Sequence, residues 1–162
     1  MKLYIKEAEF SWEAKFIVAD EKGKGKYKVE GEVFTVGNML HIHDRSGAEV
    51  AYIEQKMLSY TPKFYVYVRG ERIAEIEREF EFLNSKYNII GKGWIVEGDV
   101  PAHDYTIVEN GNVIGGVHKV SLSWGETIEL DIYDVYDEVS LLAVVLGMDA
   151  VKNAADSSNT GI

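Results

Sequence analysis

Four lysines alternate with small or aromatic residues at Lys22, Lys24, Lys26 and Lys28, separated by Gly23, Gly25 and Tyr27. Ammonium groups beside glycines, whose backbone N–H groups can approach a ligand closely, are the donors a phosphate needs. Near an anionic lipid surface each lysine would contribute about 1 kcal/mol. Asp20, Glu21 and Glu30 dilute the cluster, and the competing reading is a turn whose lysines simply face water. His41 and His43 stand two apart, a spacing that sets two imidazoles on one face of a strand as metal ligands or acid–base groups. For a metal-binding or hydrolytic site, Asp44 lies beside them, and His103 and His118 would have to converge from elsewhere. The plainer reading puts both histidines on the wet side of Leu40-His41-Ile42-His43.

Other chemistry finds no pattern. Glu75, Glu77, Glu79 and Glu81 alternate with Ala74, Ile76, Phe80 and Phe82, which is a solvated strand face rather than a catalytic dyad in two unlike environments. Ser11, Ser59, Ser121 and Ser123 lack a nucleophile elbow. Gly91-Lys92-Gly93 and Gly115-Gly116 lack a phosphate-loop pattern and read as bends or bulges. Trp12, Trp94 and Trp124 each stand at a strand boundary, where an indole caps a barrel end and its N–H finds a partner at the rim. These readings point to a protein that is not an enzyme and uses no cofactor.

The elements that would position these groups come from a repeat. Strand starts recur at Phe16, Leu40, Phe64, Tyr87, Tyr105 and Ile128. Turn signals at Gly23 to Gly25, Ser46-Gly47, Arg69-Gly70 and Asn110-Gly111 follow, and then a return strand. Counting the repeats predicts twelve strands. A sheet of that size has two adhesive edges unless it closes, so the expected fold is a closed, antiparallel, mainly β barrel of repeated hairpins.

Val139 to Val151 breaks the two-residue period and is apolar nearly all round, with Asp137 placed to cap it and Glu138 in its first turn. A surface helix would not be apolar on every side. Thirteen residues are too few for a bilayer, which takes about 20. Twelve strands enclose more space than side chains alone can fill, so a helix over 138–152 is expected down the lumen. The reading is one domain over 1–152, with 153–162 a polar, flexible tail.

Composition narrows the partners. The chain has 162 residues, 46% of them hydrophobic, and carries 17 basic against 27 acidic residues for a net charge of −10. That surface repels nucleic acid and anionic bilayers unless a local patch reverses its sign. There is no cysteine, hence no disulfide or thiolate metal site. No signal peptide or spanning segment is read, and a cytoplasmic protein is expected.

The chain resembles the LURP-one-related (LOR) family of the tubby-like C-terminal superfamily, which also includes phospholipid scramblases. The resemblance rests on Phe10-Ser11-Trp12, Lys15-Phe16, Tyr27-x-Val29-Glu30-Gly31, Lys63-Phe64-Tyr65-Val66-Tyr67, Trp94-x-Val96-Glu97-Gly98, Ser123-Trp124-Gly125 and the closing Leu141 to Asp149. It implies a twelve-stranded barrel around a central C-terminal helix. It also implies a non-enzymatic binding or scaffold module whose partner is a phospholipid headgroup or a protein. Tubby-type relatives bind phosphoinositides through basic residues. The acidity of this chain and its lack of cysteines for acylation depart from the membrane-active relatives.

Overall fold

The computed structural model describes residues 1–6, 15–34, 37–80, 85–123, 125–133 and 137–160. Twelve strands precede one helix: β1 (Lys2–Lys6), β2 (Lys15–Ala19), β3 (Gly25–Phe34), β4 (Gly37–His43), β5 (Glu49–Gln55), β6 (Lys63–Val68), β7 (Glu71–Phe80), β8 (Ser85–Ile90), β9 (Trp94–Asp99), β10 (Asp104–Glu109), β11 (Asn112–Leu122), β12 (Gly125–Ile132) and α1 (Glu138–Thr160). The six repeated starts fall on β2, β4, β6, β8, β10 and β12. Alternation does what it must. Phe16 and Val18 of β2, and Phe64, Val66 and Val68 of β6, point inward and are buried, while their neighbours face outward.

All pairings are antiparallel, in the order β8-β7-β6-β5-β4-β3-β2-β1-β12-β11-β10-β9. Each hairpin thus pairs with the next, and β1 joins β12 through Leu3↔Leu130 and Ile5↔Ile128 to bring the chain's two ends together. Closure is nearly complete. β8 and β9 lie side by side across the turn of Gly91 and Gly93, both at positive φ, without a hydrogen-bonded ladder between them. This seam is where the barrel falls short of the fully closed sheet expected.

The helix fills the lumen. Leu141, Leu142, Val144, Val145, Leu146, Met148 and Val151 are all fully buried. It leans on the β5–β7 wall, and Gly147 lets it approach so closely that a Cβ there would stand 2.5 Å from Ile76 Cδ1 and 3.3 Å from Val66 Cγ2. Asp137 caps it as expected: its Oδ1 accepts from the Val139 N–H at 3.0 Å and the Ser140 N–H at 3.4 Å. The expected end at 152 needs correction, because the helix continues through Thr160. Residues 153–160 contain neither glycine nor proline, while Ala154 and Ala155 favour helix, so nothing stops it before Gly161. No helix among the described residues is long and apolar enough to cross a membrane.

Antiparallel order gives the barrel two unlike ends. The helix enters beside the tight turns that follow β2, β4, β6 and β10, and runs toward the end where β1 finishes and β10 begins.

Candidate functional site

Two aspartates build the turns at the entry end. Asp20 Oδ1 accepts from the backbone N–H groups of Lys22 at 2.9 Å and Lys24 at 3.0 Å, and Gly23 donates to the Asp20 carbonyl. Asp44 repeats the device. Its Oδ1 accepts from the Ser46 hydroxyl at 2.6 Å and from the N–H groups of Ser46 and Ala48, and these donors, the Ser46 hydroxyl foremost, hold its carboxyl below the usual range. Aspartate suits both places because its short carboxylate reaches backbone donors two and four residues on. Arg45 ties the turns together, donating to Asp20 Oδ2 at 2.7 Å and to the Gly25 carbonyl at 2.8 Å.

The four lysines are divided by this geometry. Lys22 and Lys24 lie exposed on the β2–β3 turn and form no ion pair among the described residues. Lys26 is the extra residue of a β-bulge, since Val18 pairs with Tyr27 but Ala19 with Gly25. It reaches Glu138 at the start of the helix, at 2.8 Å. Lys28 pairs with Glu30 at 2.7 Å on the outer wall.

Between the two turns a groove of about 550 Å³ runs along the outer wall, lined by Ile17, Gly25, Lys26, Lys28, Glu30, His43 and Arg45 among others. A second hollow of about 300 Å³, lined by Tyr4, Lys6, Lys15 and Ala19, lies on the other side of Ile17. Ile17 stands between them, 51% exposed. Gly25 keeps the groove open at this point, because a Cβ there would come within 2.9 Å of Ile17 Cγ2. From Lys15 to Lys28 the chain carries five lysines against two carboxylates, Asp20 and Glu21. Lining the two hollows, Lys6, Lys15, Lys26, Lys28 and Arg45 stand against Glu30 and Asp44, and Lys26, Lys28 and Arg45 are held in ion pairs with Glu138, Glu30 and Asp20. An apolar side chain ringed by cations can take an anionic group with apolar surface beside it.

The histidines do not converge. His41 and His43 share the outer face of β4, with ring centroids 6.4 Å apart. Both His41 nitrogens are already engaged, Nδ1 by Glu49 and Nε2 by Glu32 at 3.0 Å. Burial pulls its pKa down, but the hydrogen bonds to Glu49 and Glu32 outweigh burial and raise it. His43 faces the groove, and its Nδ1 has no hydrogen-bond partner among the described residues. His118 lies on β11 beside Glu129, and His103 at the far end of the barrel beside Asp149. The alternative site at His41 and His43 therefore gains no ligand from His103 or His118. Glu75 and Glu77 pair with Lys56 and Lys63 on the outer wall, as a solvated face should. Trp94 is buried at the rim, with Nε1 donating to Glu109 at 3.2 Å and Lys92 over its ring. Trp12 and Trp124, read as further rim caps, fall outside the described residues, as do Phe10, Ser11 and Phe82.

Two constellations were not foreseen. His118, Glu129 and Asp131 bring three possible metal-ligand atoms within 4.8 Å of one another, but the Lys2 ammonium already sits on Glu129 at 2.9 Å. Burial works against the charge of Glu129, and Lys2, Tyr4 and His118 outweigh it, holding its pKa low. The second is the buried pair His103–Asp149, at 2.8 Å. Its signal was in the sequence, as the lone carboxylate within the apolar run Val139–Val151. The His118 trio had no such signal, because it exists only through the β11–β12 register His118↔Glu129.

Comparison with known proteins agrees with the architecture. The profile of the LURP-one-related (LOR) family matches residues 1–149. The chain is 30% identical over 151 residues to the uncharacterized protein YxjI of Bacillus subtilis (strain 168), covering 93% of each. An X-ray structure of an Arabidopsis thaliana protein superposes with a TM-score of 0.63 at 15% identity, over 93% of this chain and 90% of that one. The chain belongs to the LURP-one-related family.

Proposed function

We propose that this LURP-one-related protein is a non-enzymatic, cytoplasmic binding module whose outer-wall groove takes a phosphate-bearing headgroup at an anionic lipid surface. One observation carries the reading: Ile17, exposed between two hollows, is flanked by Lys6, Lys15, Lys26, Lys28 and Arg45 on an otherwise acidic protein. Lys22 and Lys24 extend the positive rim at the turn. Asp20 and Asp44 do not compete for that ligand, since backbone donors and Arg45 already occupy them.

Sedimentation with phosphatidylcholine vesicles, with and without phosphatidylserine or a phosphoinositide, tests this. The wild-type chain is expected to co-sediment with an anionic composition at low salt and to be released as salt rises, because screening shortens the reach of exposed charges to about 8 Å near 0.15 M. Lys22→Ala/Lys24→Ala/Lys28→Ala, which leaves the Lys26–Glu138 pair intact, is expected to lose that binding. Absence of wild-type binding to every anionic vesicle would overturn the reading. It would favour a protein partner, for which Leu58 and Tyr60, both fully exposed on the β5–β6 connection, offer apolar contacts.

A further inference from the structure

The His103–Asp149 pair does not stand alone. It opens onto a further, smaller cavity of about 140 Å³ at the far end of the barrel from the entry turns, and Lys6, Lys152 and Asn153 complete the polar lining. We infer that this cavity is a binding site for a small oxyanion, a carboxylate or a phosphate, distinct from the wall groove and sharing only Lys6 with the hollow beside Ile17.

The case begins with how much polar chemistry is buried there. Asp149 is 4% exposed, on the inner helix of a lumen that is otherwise almost wholly apolar. Burying a carboxylate is unfavourable unless donors surround it, and among the described residues the His103 ring meets it directly, through Nε2 at 2.8 Å. His103 is held for that contact at φ 52°, in the left-handed region that non-glycine residues seldom occupy. The short turn fixes it there: the His103 N–H donates to the Val100 carbonyl at 3.0 Å, and Asp99 Oδ1 accepts from the Ala102 N–H at 3.1 Å. A strained backbone that delivers a buried imidazole to a buried carboxylate is the arrangement found where a site is held ready.

The ligand class follows from the balance of donors and acceptors. The one carboxylate of the lining, Asp149, is taken by His103. Lys152 brings an ammonium group, which only donates, and Lys6 brings a second that also borders the hollow beside Ile17. A lining rich in cationic donors suits a ligand that only accepts, and charge-assisted hydrogen bonds of this kind are among the stronger ones. A volume of about 140 Å³ admits inorganic phosphate or a short carboxylic acid and excludes a nucleotide or a lipid tail.

Titration of the ¹⁵N-labelled full chain with inorganic phosphate and, separately, succinate, against chloride at matched ionic strength, tests the inference. The expected result is a saturable one-to-one shift of the His103, Lys152 and Asn153 amide signals with at least one of the two. The response should be retained in Lys22→Ala/Lys24→Ala/Lys28→Ala and weakened at least tenfold in Lys152→Ala, which removes a lysine of the lining. No saturable shift with either anion would overturn the site. So would a shift that survives Lys152→Ala unchanged but vanishes in the wall variant, which would assign the anion to the groove instead.

Discussion

At His41 a single imidazole stands between carboxylates from two neighbouring strands, Glu32 of β3 and Glu49 of β5, with His43 stacked beside it. Because the folded-state pKa is raised above the unfolded value, the stabilisation is complete at pH values below the unfolded pKa, near 6.5, and is lost as pH rises through the folded one. His41→Gln should therefore cost on the order of 1 kcal/mol in acid and markedly less in alkali. Thermal unfolding of both proteins at pH 5.5 and pH 8.5 checks this, and an equal cost at the two would contradict it. The sequence placed His41 and His43 on a wet strand face, and there they are. It could not show the glutamates that hold His41, because those belong to strands paired through the registers Glu30↔His41 and His41↔Tyr52. The same holds for the lysines. Their spacing was legible, but the bulge that turns Lys26 toward the helix arises only in the pairing of β2 with β3.

Among elements, the helix was the plainest in the sequence, since a run apolar on all sides has only the interior to go to. Its start was legible through Asp137, whose carboxylate meets the first backbone donors and also the Arg69 guanidinium at 2.7 Å. Which wall it leans on was not legible, because a uniformly apolar run has no preferred face. Gly147 decides it, by admitting Ile76 and Val66 where any side chain would collide. Gly147→Val should destabilise the fold by about 2–3 kcal/mol, despite removing a helix-weakening glycine, because the core around it is already filled. Denaturant unfolding measures the loss, and a neutral or stabilising result would mean the helix does not press on β6 and β7. Repeats in sequence also need not be repeats in conformation. Gly31 and Gly98 follow matching Val-Glu pairs, yet Gly31 sits within the β3–β4 ladder opposite Leu40. Gly98 adopts φ 120°, where a Cβ would meet the Asp104 carbonyl oxygen at 2.6 Å.

At the scale of the whole molecule, alternation and strand count required a barrel, and the β1–β12 pairing brings its two ends together. The seam between β8 and β9 is the one junction without a ladder among the described strands, and nothing in the alternation of either strand announces it. The distribution of charge is the other whole-molecule property. Summed, the chain is strongly acidic and would be repelled by an anionic surface at long range. Near Ile17 five cations gather along the two hollows, so the proposed association would require one face and one orientation. The absence of cysteine allows that orientation to be read directly. A polarity-sensitive fluorophore on Ile17→Cys should shift to the blue on phosphatidylserine-containing vesicles at low salt and revert at high salt. The same label on Val113→Cys, exposed on another wall, should not respond. An unchanged signal at position 17, or equal shifts at both positions, would contradict an anion-binding face built around Ile17.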